Sequence, residues 1–83
     1  MEYKNICNLK EGALVELGTE KENENFWVRY HGQHVSVRGT SGQLRSQCFA
    51  IFLGQYGDEH NYFLCLIDGK KFAVNWHFFM GAA

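Results

Sequence analysis

Tyr62-Phe63-Leu64-Cys65-Leu66-Ile67 is hydrophobic at every position. Residues 48–53 and 72–76 are similar segments on either side of it, and the aromatic tail 78–80 follows directly. Nine of the 13 aromatic residues lie between Phe49 and Phe79. Short apolar runs rich in aromatic side chains predict β-strands. The C-terminal half therefore predicts a β-sheet with an aromatic core.

The strand at 62–67 has more apolar surface than one side of a small sheet needs. Successive side chains of a strand point to opposite faces. One set is Tyr62, Leu64 and Leu66, and the other is Phe63, Cys65 and Ile67. One core absorbs one set, so the other needs a cover: an N-terminal helix, the 78–80 tail or a second subunit. Neither intramolecular cover looks large enough alone, so the sequence predicts a contact surface and a homodimer through the apolar C-terminal strands.

The N-terminal half shows alternating apolar and polar residues, which is typical of half-buried strands. Strands are predicted at 13–17, 26–31 and 34–38, joined as a meander by a polar hairpin loop at 18–25 and a tight turn at 31–33. Asp68-Gly69 predicts a further hairpin. Residues 3–11 suit either a short helix that stops at Gly12 or an irregular lead-in.

These signals predict one domain, 1–83, that is mainly β. The expected fold is a small barrel or a strongly curved antiparallel sheet of five to six short strands, with room for a short N-terminal helix. In outline it is similar to the small β-barrels of SH3-like and Sm-like domains. The predicted loop at 18–25 is acidic and precedes Phe26-Trp27, and in this it resembles an SH3 binding loop. The chain has no proline, however, and no Pro-x-Asn-Tyr motif. The resemblance assigns no family and no functional residues.

Composition limits the classes of function. The net charge is −1, whereas generic nucleic-acid binding usually needs a basic domain. No apolar run approaches the roughly 20 residues that span a bilayer, and no signal-peptide pattern opens the chain. Three cysteines at irregular spacing do not predict a disulfide framework. We expect a cytoplasmic protein.

Residues with reactive or metal-binding side chains do not form a recognisable motif. His31 and His34 are three apart, but no second close pair accompanies them, and structural zinc sites need converging pairs. The chain has no GxSxG elbow, and three of its nine acidic residues cluster in the polar loop at 18–25. The sequence predicts no catalytic residues, no metal, no cofactor and no enzymatic activity.

The best sequence evidence for function is a set of exposed binding residues. Trp27, Arg29 and His31 share one face of a strand, opposite Val28 and its apolar neighbours. Exposed Trp and Arg side by side are typical of protein-binding hot spots. An acidic patch completes the predicted partner-binding site with Glu20, Glu22 and Glu24. We expect a non-catalytic protein-interaction module, such as a small accessory or inhibitor protein, with a protein partner.

An alternative function uses the basic residues. The segment from Arg38 to Arg45 has two glycines between two arginines, which allows backbone N–H groups to turn toward an anion. Together with Lys70 and Lys71 these arginines predict a modest basic patch. The alternative is therefore a small β-barrel that binds nucleic acid through these residues and Arg29.

Overall fold

The described part of the chain is a single antiparallel sheet with one short α-helix and one 3₁₀ turn. This is a computed structural model that describes residues 1–18, 26–37 and 47–82, without the side chains of 26–27, 34–37 and 47–48. The chain begins with helix α1 (Tyr3–Cys7). The strands follow as β1 (Leu14–Gly18), β2 (Phe26–Tyr30), β3 (Gln33–Val37), β4 (Gln47–Gln55), β5 (Tyr62–Ile67), β6 (Lys70–Asn75) and β7 (Phe79–Ala82). A 3₁₀ helix, Trp76–Phe78, separates β6 from β7.

The strand order in the sheet is β3-β2-β6-β5-β4-β1-β7. All the described pairs are antiparallel. The prediction of a small, mainly β fold is therefore confirmed. Of the two architectures expected, the sheet is the open one, because β3 and β7 lie at its two ends and the described strands do not close into a barrel.

The sheet is strongly curved. Phe63 in β5 and Phe79 in β7 are three strands apart, which is about 14 Å in a flat sheet. Their ring centroids are nevertheless 5.7 Å apart. Bulges help the strands to bend, because the β4–β5 register shifts between Phe52 and Gly54 and the β1–β7 register shifts after Glu16.

The predicted meander of the first three strands was wrong. The strands β2 and β3 do form a hairpin, but β1 pairs with β4 and β7 and is separated from β2 by three strands. Local alternation shows that 14–18 is a strand but contains no information about which distant strand it joins. The seventh strand, Phe79–Ala82, was also missed, because 78–80 was interpreted as a covering tail.

Both tight hairpins are at the positions expected from the sequence. His31 and Gly32 have φ values of 51° and 79°, and Asp68 and Gly69 have 51° and 78°. Positive φ at both central residues is the type I′ geometry that suits the twist of a two-residue hairpin.

The core lies on the concave face of the sheet, beneath α1. Phe63, Cys65 and Ile67 are the buried set of β5, which decides between the two sets that the sequence left open. Helix α1 contributes Ile6, which is fully buried, and the Tyr3 ring, which lies 5.6 Å from that of Phe63. The N-terminal ammonium donates a hydrogen bond to the Phe79 carbonyl at 3.0 Å. The helix is shorter than the predicted 3–11 and ends before Gly12, which lies instead in the turn that leads to β1.

Candidate contact face of the sheet

The side of the sheet opposite the core is also largely apolar. Directly paired residues of antiparallel strands have their side chains on the same face. Leu14 pairs with Ile51, Ile51 with Leu66, and Leu66 with Lys71. We call this side the outer face. Its described side chains are Leu14, Glu16, Arg29, Phe49, Ile51, Tyr62, Leu64, Leu66, Lys71, Ala73 and Asn75.

Exposure on the outer face is greatest at β1 and β4. Phe49 is 58% exposed and Leu14 is 43% exposed, and they are the large hydrophobic residues most open to solvent among the described side chains. Ile51 and Leu66 are half-buried beside them. Exposure falls toward β6, where Ala73 is only 1% exposed. The open apolar area is therefore a patch on β1, β4 and β5 rather than the whole face.

Arg29 forms a polar cluster at the other end of the outer face. Its guanidinium donates to both carboxylate oxygens of Glu59, at 2.6 Å for Oε1, and lies 4.3 Å from the centre of the Tyr62 ring. The hydrogen bonds to Glu59 raise the pKa of Arg29 above its ordinary value, and the nearby Tyr62 adds to this effect. Because Glu59 precedes β5, the ion pair ties that loop to β2. Arg29 is thus engaged within its own chain.

The predicted partner-binding residues are only partly brought together. Arg29 lies on the outer face as expected, but it is half-buried and paired. His31 lies in the exposed β2–β3 turn, with its ring 4.2 Å from that of Tyr30. Trp27 is in β2 opposite Ser36, and its side chain lies outside the described part. Glu20, Glu22 and Glu24 all lie outside the described residues.

The predicted basic patch is described at two of its positions. Lys70 and Lys71 are exposed at the start of β6, on opposite faces of the sheet, because Lys70 pairs with Ile67 and Lys71 with Leu66. Arg38 and Arg45 lie outside the described residues. The described lysines therefore do not form one surface.

Leu14 and Phe49 are the residues of this face that the sequence analysis did not single out. The signal for Leu14 was present, because alternation in β1 puts it opposite Val15 and Leu17. Phe49 belongs to a strand that is apolar on both faces, so its pattern alone does not show which side is open.

Two features are absent from the described residues. These residues contain no group of three or more His, Cys, Asp or Glu side chains arranged to hold a metal ion. No helix among them is both long and apolar enough to cross a membrane.

Comparison with protein-family models, with curated proteins and with solved structures finds no match for this chain.

Proposed function

We propose that this chain is a non-catalytic protein-interaction module whose contact surface is the open patch of the outer face. The observation that supports it is the exposure of Phe49 and Leu14 on strands whose other face packs into the core. Contiguous exposed apolar residues on a small domain are typical of binding surfaces. The rim carries charge, with Lys71 beside Leu66 and Glu16 beside Phe49.

Composition makes an intramolecular cover less favourable than a partner. Residues 19–25 and 38–46, which lie outside the described residues, include one large apolar residue, Leu44. Apolar area removed from water stabilises by about 25 cal/mol per Å². A polar segment brings little apolar area of its own, so it gains less from lying on apolar side chains. A partner with its own apolar surface gains more.

Two features support the rest of the proposal. Cys7 and Cys65 are free thiols, which supports a reducing compartment such as the cytoplasm. The nucleic-acid alternative is less favoured, since Arg29 is held by Glu59 and the two described lysines lie on opposite faces.

The test compares Phe49→Lys with Gln33→Lys, a control with the same charge change at an exposed position of the β2–β3 hairpin. Tagged wild-type and variant chains are used to capture proteins from extracts of the source cell, with a second, differently tagged copy of the chain included. We expect Phe49→Lys to lose a protein that wild type and Gln33→Lys both retain. Identical proteins retained by all three would show that the patch is not the contact surface. Capture that vanishes with nuclease treatment would favour the nucleic-acid alternative.

A further inference from the structure

We propose that the partner of the outer face is a second copy of this chain, bound as a two-fold dimer with the two sheets packed face to face. The inference rests on the proposed function, because it names the occupant of the same patch. It is carried by the arrangement of charge around the patch, which is complementary to itself.

One row of paired residues crosses the outer face from a lysine on β6 to a leucine on β1. It runs Lys71 on β6, Leu66 on β5, Ile51 on β4 and Leu14 on β1. Glu16 is the next outer-face residue of β1 after Leu14 and lies opposite Phe49. The patch therefore has a lysine at one side, a glutamate at the other and apolar side chains between them.

A two-fold axis between the sheets and parallel to the strands exchanges β6 with β1 and β5 with β4. Leu66 of one copy then faces Ile51 of the other, and apolar side chains of both copies fill the space of about 10 Å between packed sheets. Each Lys71 then faces the β1 strand of the other copy, which carries Glu16 two residues beyond Leu14. A two-fold interface requires such self-complementarity, because the same patch is used twice.

This ion pair cannot form within one chain. Lys71 and Glu16 lie on strands three positions apart, a separation of about 14 Å. Glu16 also interacts with other groups of its own chain. A test of the dimer must therefore separate the contact between copies from effects inside one copy.

Charge reversal on the two sides of the patch provides that separation. In a dimer of Lys71→Glu, or of Glu16→Lys, both intersubunit contacts become like-charge pairs, and we expect about tenfold weaker association for each. When the two variants are mixed, a heterodimer forms in which both contacts are again opposite in charge. Sedimentation equilibrium of each variant and of the mixture measures the three dissociation constants, and the mixture is expected to regain the wild-type value.

Lys70→Glu is the matched control, since it makes the same charge change one residue away on the opposite face. It is expected to associate as wild type does. The proposal is wrong if the mixture associates no more tightly than either variant alone, or if wild type is monomeric throughout. Phe49→Lys provides a second test, because it places a charge in the apolar centre and is expected to abolish association.

Failure of this inference is distinguishable from failure of the proposed function. A monomeric wild type whose captured protein is lost with Phe49→Lys would exclude the dimer and keep the patch as a contact surface for a different protein. A monomeric wild type with capture unchanged by Phe49→Lys would exclude both.

Discussion

Phe49 and Phe52 lie three residues apart on the same strand, yet Phe49 is 58% exposed and Phe52 is 3% exposed. The odd spacing puts the two rings on opposite faces of β4. Phe52 packs in the core, with its ring 5.8 Å from that of Phe63. Phe52 therefore contributes to the stability of the fold, whereas Phe49 belongs to the proposed contact surface.

The first prediction uses that pair. Phe52→Ala leaves a cavity in the core and is expected to lower the free energy of unfolding by about 3–5 kcal/mol. Phe49→Ala removes a ring that is mostly in water and is expected to change it by no more than about 0.5 kcal/mol. Urea denaturation at low protein concentration measures both. Equal losses would contradict the assignment of the two faces.

Helix α1 is predicted to be a necessary cover of the core despite its five residues. Ile6→Ala, at a fully buried position, is expected to cost about 2–5 kcal/mol. The exposed neighbour is the control, and Asn5→Ala is expected to change stability by less than about 0.5 kcal/mol. If Ile6→Ala were as mild as the control in denaturant titrations, the helix would not be part of the core.

The bulge in β4 makes a prediction about backbone strain. Gly54 has φ of 124°, a conformation that side chains rarely adopt, although a Cβ there would meet no atom within 4 Å. Gly54→Ala is therefore expected to destabilise by about 1–3 kcal/mol through strain alone. Gly81→Ala has the same open space without the positive φ and is expected to be nearly neutral. Equal melting temperatures for the two variants would contradict the bulge geometry.

Tyr3 predicts a loss of stability in alkaline solution. Burial raises the pKa of its phenol above the usual value of 10.0, and the Cys7 side chain raises it further. A raised folded-state pKa means that the neutral phenol stabilises the fold fully below pH 10 and loses this contribution as the pH rises through the folded-state value. The melting temperature, measured from neutral to strongly alkaline pH, should therefore fall more steeply for wild type than for Tyr3→Phe. Parallel curves would contradict the prediction.

Local patterns in the sequence were enough to predict six of the seven strands and the two tight hairpin turns. Asp68-Gly69 and His31-Gly32 carry their turn chemistry in two residues, and β5 shows its two faces by alternation. The sequence could not show that β1 joins β4 and β7, because pairing between distant strands depends on the whole sheet. The position of α1 decided which set of β5 became the core, and a pattern within one strand does not contain that information.

The candidate site was predicted in kind more than in detail. The excess of apolar surface in the C-terminal strands did indicate a second apolar face, and Arg29 does lie on it. The ion pair that engages Arg29 was not foreseeable, since Glu59 is 30 positions away in the sequence. The most open side chain, Phe49, depends on how β4 lies between β1 and β5.

The most direct test of a homodimer through the outer face is the mass of the native protein in solution. Sedimentation equilibrium over a wide range of concentration should show wild type approaching twice its chain mass of 9.6 kDa, while Phe49→Lys stays at the chain mass. A wild type that remains at 9.6 kDa up to high micromolar concentration would contradict the dimer of this face.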